Sequence, residues 1–256
     1  MPIMTDGFRA TWWLLGIFVL LLTGPMLTLA FGSVSFKGDW RTATHRATGL
    51  ALDPAEHPAA VVQVYASRTF GWRGAFAVHT WLAAKPEGAN RYTRYEVIGW
   101  YARGGGSALS VSDRGAPDAE WYGAPPRLIR DVRGADAQTV IDKLPAAAES
   151  YPYASNYSVW PGPNSNTFIA HLGRQIPELE LTLPSMAIGK DYLPAGQLFA
   201  RTPSGTGYQL SLSGVVGLAA ARDEGLELNL FGLVIGLDLR HPGIKLPGIG
   251  TWPTES

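Results

Sequence analysis

A serine hydroxyl and an imidazole stand in settings from which acyl chemistry could be built. In the segment Trp160-Pro161-Gly162-Pro163-Asn164-Ser165-Asn166-Thr167-Phe168 the prolines forbid a helix up to Pro163, and Asn164 or Ser165 can cap the helix that starts there. The Ser165 hydroxyl then stands where unpaired N–H groups and the positive end of the helix dipole favour negative charge, which suits a nucleophile or an oxyanion site. Asn and Ser are equally the residues that an ordinary N-cap prefers. His79, in Val78-His79-Thr80-Trp81, lies on a predicted strand whose other face is Phe76, Val78, Thr80 and Leu82. Its own face carries Ala75, Ala77, Trp81 and Ala83, small neighbours that leave room beside the ring. A partly buried histidine bonded to the backbone fits the same pattern. If the Pro86–Asn90 turn closes symmetrically, His79 pairs near Val97, and a one-residue bulge places Glu96 opposite it to orient the imidazole. The catalytic candidates are therefore Ser165, His79 and Glu96, with Asn164, Asn166, Trp160 and Trp81 as substrate-binding candidates.

Other chemistries lose their footing early. The chain has no cysteine, which removes thiolate nucleophiles, thiolate zinc sites and disulfides. His45, His57, His79, His171 and His241 are scattered, and no H-E-x-x-H or GxxxxGK[ST] occurs, so no metal and no cofactor is expected. Lys plus Arg 21 against Asp plus Glu 21 gives a formal charge of zero, so nucleic acid is not an expected partner. The glycine-rich stretch Thr202–Gly207 lacks a lysine and reads as a turn before a strand. Lys190-Asp191, polar within an apolar stretch, reads as another turn.

The elements that must position these residues begin at a membrane. Residues 1–10 form a short tail, and Thr11–Phe36 contains no charged side chain over about 26 residues, roughly 39 Å as a helix, enough to cross a ~30 Å hydrocarbon layer. Trp12 and Trp13 sit where interfacial aromatics are expected, flanked by Arg9 and Lys37, and Gly24-Pro25 should kink or divide the helix. A cleavable signal peptide is the competing reading, because Ala30-Phe31-Gly32 ends small-x-small; the length of the apolar run favours an uncleaved anchor. Lys37, Arg41 and Arg46 after the span argue for a cytoplasmic body. The short tail and a Trp-, Tyr- and Gly-rich body with few lysines argue for the extracytoplasmic side, which is the expectation adopted.

Residues 37–58 read as a linker and 59–256 as a single α+β domain: an antiparallel β-sheet with two or three helices, closed by a glycine-rich β-hairpin. Gly74–Lys85 and Arg91–Ala102 should pair antiparallel around Pro86–Asn90. Gly134–Tyr151 is the main helix of the body, with Pro145 expected to kink or end it, and Asn164–Gln175 is a shorter one. After Ala195 two apolar arms around Asp223-Glu224-Gly225 read as long strands.

The order of TFGWRGAFAVHTWLAAK, RYEVIGWY, YPY, WPGPNSNTF, AIGKDY, PSGTGYQLSLSG and LPGIG resembles a bacterial family known as domain of unknown function 3750, over roughly Val61–Gly250. No activity comes with that resemblance. His79 followed by Asn164-Ser165-Asn166-Thr167-Phe168 is also similar to the circularly permuted papain-like proteins, including NlpC-like hydrolases and lecithin retinol acyltransferase relatives. Ser165 stands at their cysteine position and His79 matches their base. This likeness implies a permuted papain-like fold and an amide or ester hydrolase, or an acyltransferase, of the bacterial envelope. N–H groups near Asn166 would be the oxyanion donors, and a peptidoglycan peptide or a lipid acyl chain the substrate. The alternatives are an inactive envelope module that binds a peptide, glycan or lipid through Trp100, Trp121, Tyr122, Tyr151, Tyr153, Tyr157 and Trp160, and a structural partner of another membrane protein. The protein is expected in the bacterial cytoplasmic membrane as a single-pass species.

Overall fold

The computed structural model describes residues 6–32, 34, 41–103 and 105–253. Residues 1–5 of the expected N-terminal tail and Lys37 lie outside these. Helix α1, Asp6–Phe31, includes Thr11–Phe31 with a mean hydropathy of 2.3, long and apolar enough to cross a membrane. Trp12, Trp13, Leu14 and Leu20 are exposed, whereas Leu21 and Thr28 are buried. The buried stripe presses on the far end of the chain: the Thr28 hydroxyl donates to the Gly248 carbonyl at 3.0 Å, and a Cβ on Gly24 would come within 2.0 Å of the Pro247 oxygen. Gly24-Pro25 does not divide the helix, which runs through it as one element, with the body packed where the proline stands.

Five antiparallel strands form the first sheet: β1 Val61–Arg68, β2 Val78–Lys85, β3 Thr93–Val97, β4 Leu109–Ser112 and β5 Arg127–Arg133, in the order β4-β3-β2-β1-β5. The alternation of β2 separates its faces. Val78, Leu82 and Ala84 join the main core with α2, Gly134–Glu149, and α3, Ser165–Gln175, whereas Trp81 and Ala83 join a smaller core with Val61, Tyr65 and Tyr92. Pro145 does not end α2, which continues to Glu149 because Leu144, Ala147 and Ala148 bury against that core. The chain expected as a linker is tied to the loop that covers the smaller core. The buried carboxylate of Asp118 accepts from the Thr48, Leu50 and Ala51 N–H groups, and Thr44 bonds Glu120.

The C-terminal arms were expected as two long strands in one hairpin, and here the structure differs. They fold into a seven-stranded antiparallel meander in chain order: β6 Phe199–Arg201, β7 Gly207–Leu212, β8 Val216–Ala221, β9 Gly225–Leu230, β10 Leu233–Asp238, β11 Gly243–Leu246 and β12 Gly250–Trp252. Two of the extra reversals come from paired left-handed residues. Ser213-Gly214 (φ 51° and 71°) and Phe231-Gly232 (φ 57° and 83°) supply the two positive φ values that a tight hairpin needs. Thr202–Gly207 is the expected turn before a strand.

The meander attaches to the first unit through buried charge. The Glu227 carboxylate accepts from Lys190 Nζ and, at 2.7 Å, from Lys245 Nζ. Lys190 Nζ also donates to Asp191 at 2.9 Å, and Asn229 donates to the other Asp191 oxygen at 2.9 Å. From α3, Arg174 donates to the Lys190 carbonyl and to Gln209. Burial would push Glu227 up, but the two ammonium groups outweigh it and hold the carboxyl below its usual range. Burial likewise lowers Lys190, and its two carboxylates reverse that, leaving it raised.

Candidate functional site

The N-terminus of α3 is built as predicted, with Asn164 as the cap. Its Oδ1 accepts from the Asn166 and Thr167 N–H groups at 3.0 and 3.2 Å, and Thr167 Oγ1 accepts from the Asn164 N–H at 3.1 Å, closing a capping box. The rest of the network fastens the helix to its surroundings. Asn166 Nδ2 donates to the carbonyls of Val78 (2.9 Å) and Ile188 (2.8 Å), and its Oδ1 accepts from the Thr80 hydroxyl at 2.9 Å. Asn164 Nδ2 donates to the Ile188 carbonyl and Thr167 Oγ1 to that of Gly189. A Cβ on Gly189 (φ 98°) would fall 2.5 Å from the Asn164 amide, so glycine is required there. Asn164 and Asn166 therefore spend their amides on structure, and the Asn166 N–H proposed as an oxyanion donor is already bonded. The Ser165 side chain is buried and makes no hydrogen bond among the described residues.

His79 lies on the other face of the sheet. Thr80 points to α3 through Asn166, while His79 stacks on Trp81 (centroids 5.7 Å apart) and Trp121 (3.5 Å, planes 10° apart). Residue parity on β2 thus sends the imidazole away from the helix that carries Ser165, and no hydrogen bond joins the two. Glu96 does reach His79, by neither of the two expected registers. The pairs Leu82↔Tyr95 and Ala83↔Arg94, continued along the ladder, place Trp81 opposite Glu96, so the carboxylate approaches His79 diagonally. His79 Nε2 lies 3.7 Å from Glu96 Oε2, longer than a direct hydrogen bond, and is otherwise unpartnered. Arg94 completes the row, 2.9 Å from the same Glu96 oxygen and 5.0 Å over the Trp81 ring.

Burial pushes the His79 imidazole below its ordinary value, opposed in part by Glu96. Glu96 is held low by His79 and Arg94 against the effect of burial. His79 therefore favours its neutral form; that contribution to stability is present above about pH 6.5 and is lost as pH falls through the lower folded value. An imidazole NMR titration of the full chain should show His79 below 6.5, moving up in Trp121→Ala, which admits water, and further down in Glu96→Gln. An imidazole indifferent to both changes would refute this account of its environment.

The other binding candidates separate. Trp81 is fully buried, its Nε1 donating to the Pro117 carbonyl at 2.7 Å. Trp160 Nε1 donates to the Phe231 carbonyl at 2.8 Å, tying the helix approach to the β9–β10 turn. Of the expected aromatic surface, Trp100, Trp121 and Tyr122 cluster around His79, while Tyr151 and Tyr153 pack beside Phe168 and Tyr192.

A cleft of about 1090 Å³ opens between the β1–β5 side of the first sheet, segment 182–186 and β10–β12. Tyr122, Met186 and Leu128 supply apolar wall, Arg68, Arg127, Arg240 and Lys245 supply positive charge, and Asp223, paired with Arg240, and Asp238 supply negative charge. Lys245 is committed to Glu227. Arg68 donates only to the Gly74 and Gly248 carbonyls, and neither Arg68 nor Arg127 meets a carboxylate in an ion pair among the described residues. Burial, with Arg127 adding repulsion, lowers Arg68 from its usual value. The Ser185 hydroxyl, also in the lining, is buried without a hydrogen-bond partner. No arrangement of His, Asp and Glu suited to a metal occurs among the described residues. Sequence reading missed this cleft because its cations come from β1, β5 and the meander, with no common motif.

These features define an α+β protein with an N-terminal helix fit to span a membrane, a helix-backed five-stranded sheet and a C-terminal meander. The chain matches the family described as protein of unknown function (DUF3750) over residues 59–192, and it belongs to that family. The match takes in His79, Glu96 and Ser165 and stops before the meander, short of the Gly250 limit expected from the motifs. No curated protein and no solved structure matches the chain, and the family match does not link it to papain-like proteins.

Proposed function

We propose that this protein is a membrane-anchored binding module whose cleft takes an anionic amphiphile, a molecule with an apolar chain and a phosphate or carboxylate head. The observation that carries this reading is the pair Arg68 and Arg127, two guanidinium groups that make no ion pair among the described residues although Asp223 and Asp238 also line the cleft, beside apolar wall from Leu128 and Met186. Guanidinium forks bind such heads through paired charge-assisted hydrogen bonds, and the unpartnered Ser185 hydroxyl adds a donor. The anchor is α1, kept uncleaved in the cytoplasmic membrane of a bacterium. In support, the Leu21, Gly24 and Thr28 stripe is covered by the body, and cleavage near Ala30–Gly32 would strip that contact away. The body lies on the extracytoplasmic side, in keeping with its few lysines and many aromatics.

Binding to the full chain in zwitterionic micelles tests the reading. Lysophosphatidylglycerol should bind more tightly than lysophosphatidylcholine, and Arg127→Ala should weaken the anionic lipid about tenfold or more, the effect of losing one hydrogen bond between charged groups. Equal binding of the two lipids, or an Arg127→Ala protein that binds as before, would overturn it. Acyl hydrolysis by Ser165 and His79 keeps one supporting observation, the His79–Glu96–Arg94 row, which could tune a base. A serine-directed probe that labels the wild type but neither Ser165→Ala nor His79→Ala would restore that reading.

A further inference from the structure

We infer that the outer face of the C-terminal meander is a lipid-contacting surface that lies against the bilayer beside α1. The inference rests on α1 being the membrane anchor and does not depend on the cleft or its ligand. Its first support is an inverted polarity of the sheet. Reading across the ladder, one inward row is Gln209, Ala219, Glu227, Gly236 and Lys245, which carries the buried charges. The neighbouring outward row is Tyr208, Ala220, Leu226, Leu237, Ile244 and Trp252. No outward strand residue from β7 to β12 is charged. Leu212 is 61% exposed and Leu218 56%, so the apolar side chains project outward in consecutive strands. Such a continuous apolar sheet face, left in water, is a surface that soluble monomers avoid. Sheets that place polar groups inside and apolar groups outside are the ones that meet lipid.

The second support is position, which selects the bilayer as the occupant. Gly24 and Thr28 belong to the apolar span that ends at Phe31, roughly 5–10 Å along the axis from that end. Both touch the β11–β12 turn: Gly24 meets Pro247, Pro25 meets Gly248, and Thr28 bonds the Gly248 carbonyl. With α1 across the hydrocarbon, this turn is held at or just below its boundary, and the adjoining strands cannot rise far from it. The outward aromatics Tyr208 and Trp252 then take the interfacial level at which amphipathic rings are favoured.

The chain has no cysteine of its own, so single cysteines can report on each surface. Nitroxide labels at Leu218→Cys, Leu228→Cys and Leu237→Cys are placed in the full chain, reconstituted in bilayers of phosphatidylethanolamine and phosphatidylglycerol. Leu15→Cys on α1 and Asp136→Cys on α2 serve as references. The readout is collision with oxygen, which concentrates in lipid, against collision with a nickel chelate, which stays in water. The three sheet positions should favour oxygen, with ratios close to that of Leu15 and opposite to that of Asp136. If nickel dominates on the sheet while Leu15 favours oxygen, the inference fails and the anchor stands. If nickel dominates at Leu15 as well, the anchor reading and this inference fall together. Shielding from both reagents, with spin–spin broadening between copies, would assign the face to a second copy of the chain and overturn the lipid assignment.

Discussion

Glu227→Gln should destabilise the full chain by about 3–5 kcal/mol, the cost of breaking a buried ion pair and leaving its partners uncompensated. Lys190 and Lys245 would keep their charges in a site almost closed to water, with Asp191 the one carboxylate still paired to them among the described residues. Urea unfolding in detergent reads the change directly. A loss below about 1 kcal/mol would mean that water reaches the ammonium groups, and the network would not be the junction described above. The same network sets a pH window. Glu227 is depressed, so its contribution is present above its unfolded value near 4.3 and is lost as pH falls through the lower folded one. Lys190 is raised, so its contribution is full below about 10.4 and is lost as pH rises through the higher folded value. The attachment of the meander should therefore hold across neutral pH and weaken first in acid. Replacing Lys190, Glu227 and Lys245 together with apolar residues of similar volume should be far milder than Glu227→Gln, because no charge is stranded.

Asn166→Ala should cost about 3 kcal/mol or more, and Ser165→Ala much less. The first change strands the Thr80 hydroxyl and takes a donor from the Val78 carbonyl, at about 1–3 kcal/mol for each buried group left unsatisfied, while the Ile188 carbonyl keeps the Asn164 amide. The second removes a hydroxyl that makes no hydrogen bond among the described residues. Thermal unfolding of the two variants beside the wild type separates a structural from a chemical role for this helix start. Equal losses would show that Ser165 holds a partner, and a near-neutral Asn166→Ala would dismiss the network as the staple between α3 and β2.

Several elements were legible before any coordinates because their signals are local. The uncharged run from Thr11 needs only its own composition to be a spanning candidate. Asn164 caps α3 because the prolines before it and the capping box after it lie within eight residues of sequence. The Pro86–Asn90 turn joins β2 to β3 for the same reason. The meander was legible only in part. Its apolar alternation is plain, but Ser213-Gly214 and Phe231-Gly232 did not stand out as turns among so many glycines. A serine or phenylalanine forced to positive φ leaves no trace in composition.

The sequence by itself determined the periods and the polarity of each strand, including the two faces of β2, one with Val78, Thr80 and Leu82 and the other with His79 and Trp81. Only the tertiary structure decided which face α3 would cover, because that depends on an approach between residues 86 positions apart, Thr80 and Asn166. The packing put Ser165 behind the sheet from His79 and drew Glu96 diagonally toward the imidazole. It also gathered Lys190, Glu227 and Lys245 from three separate segments into one ion cluster. Alternation fixes a pair of faces for each strand, and burial then depends on which neighbour arrives, a relation that exists only once distant segments meet.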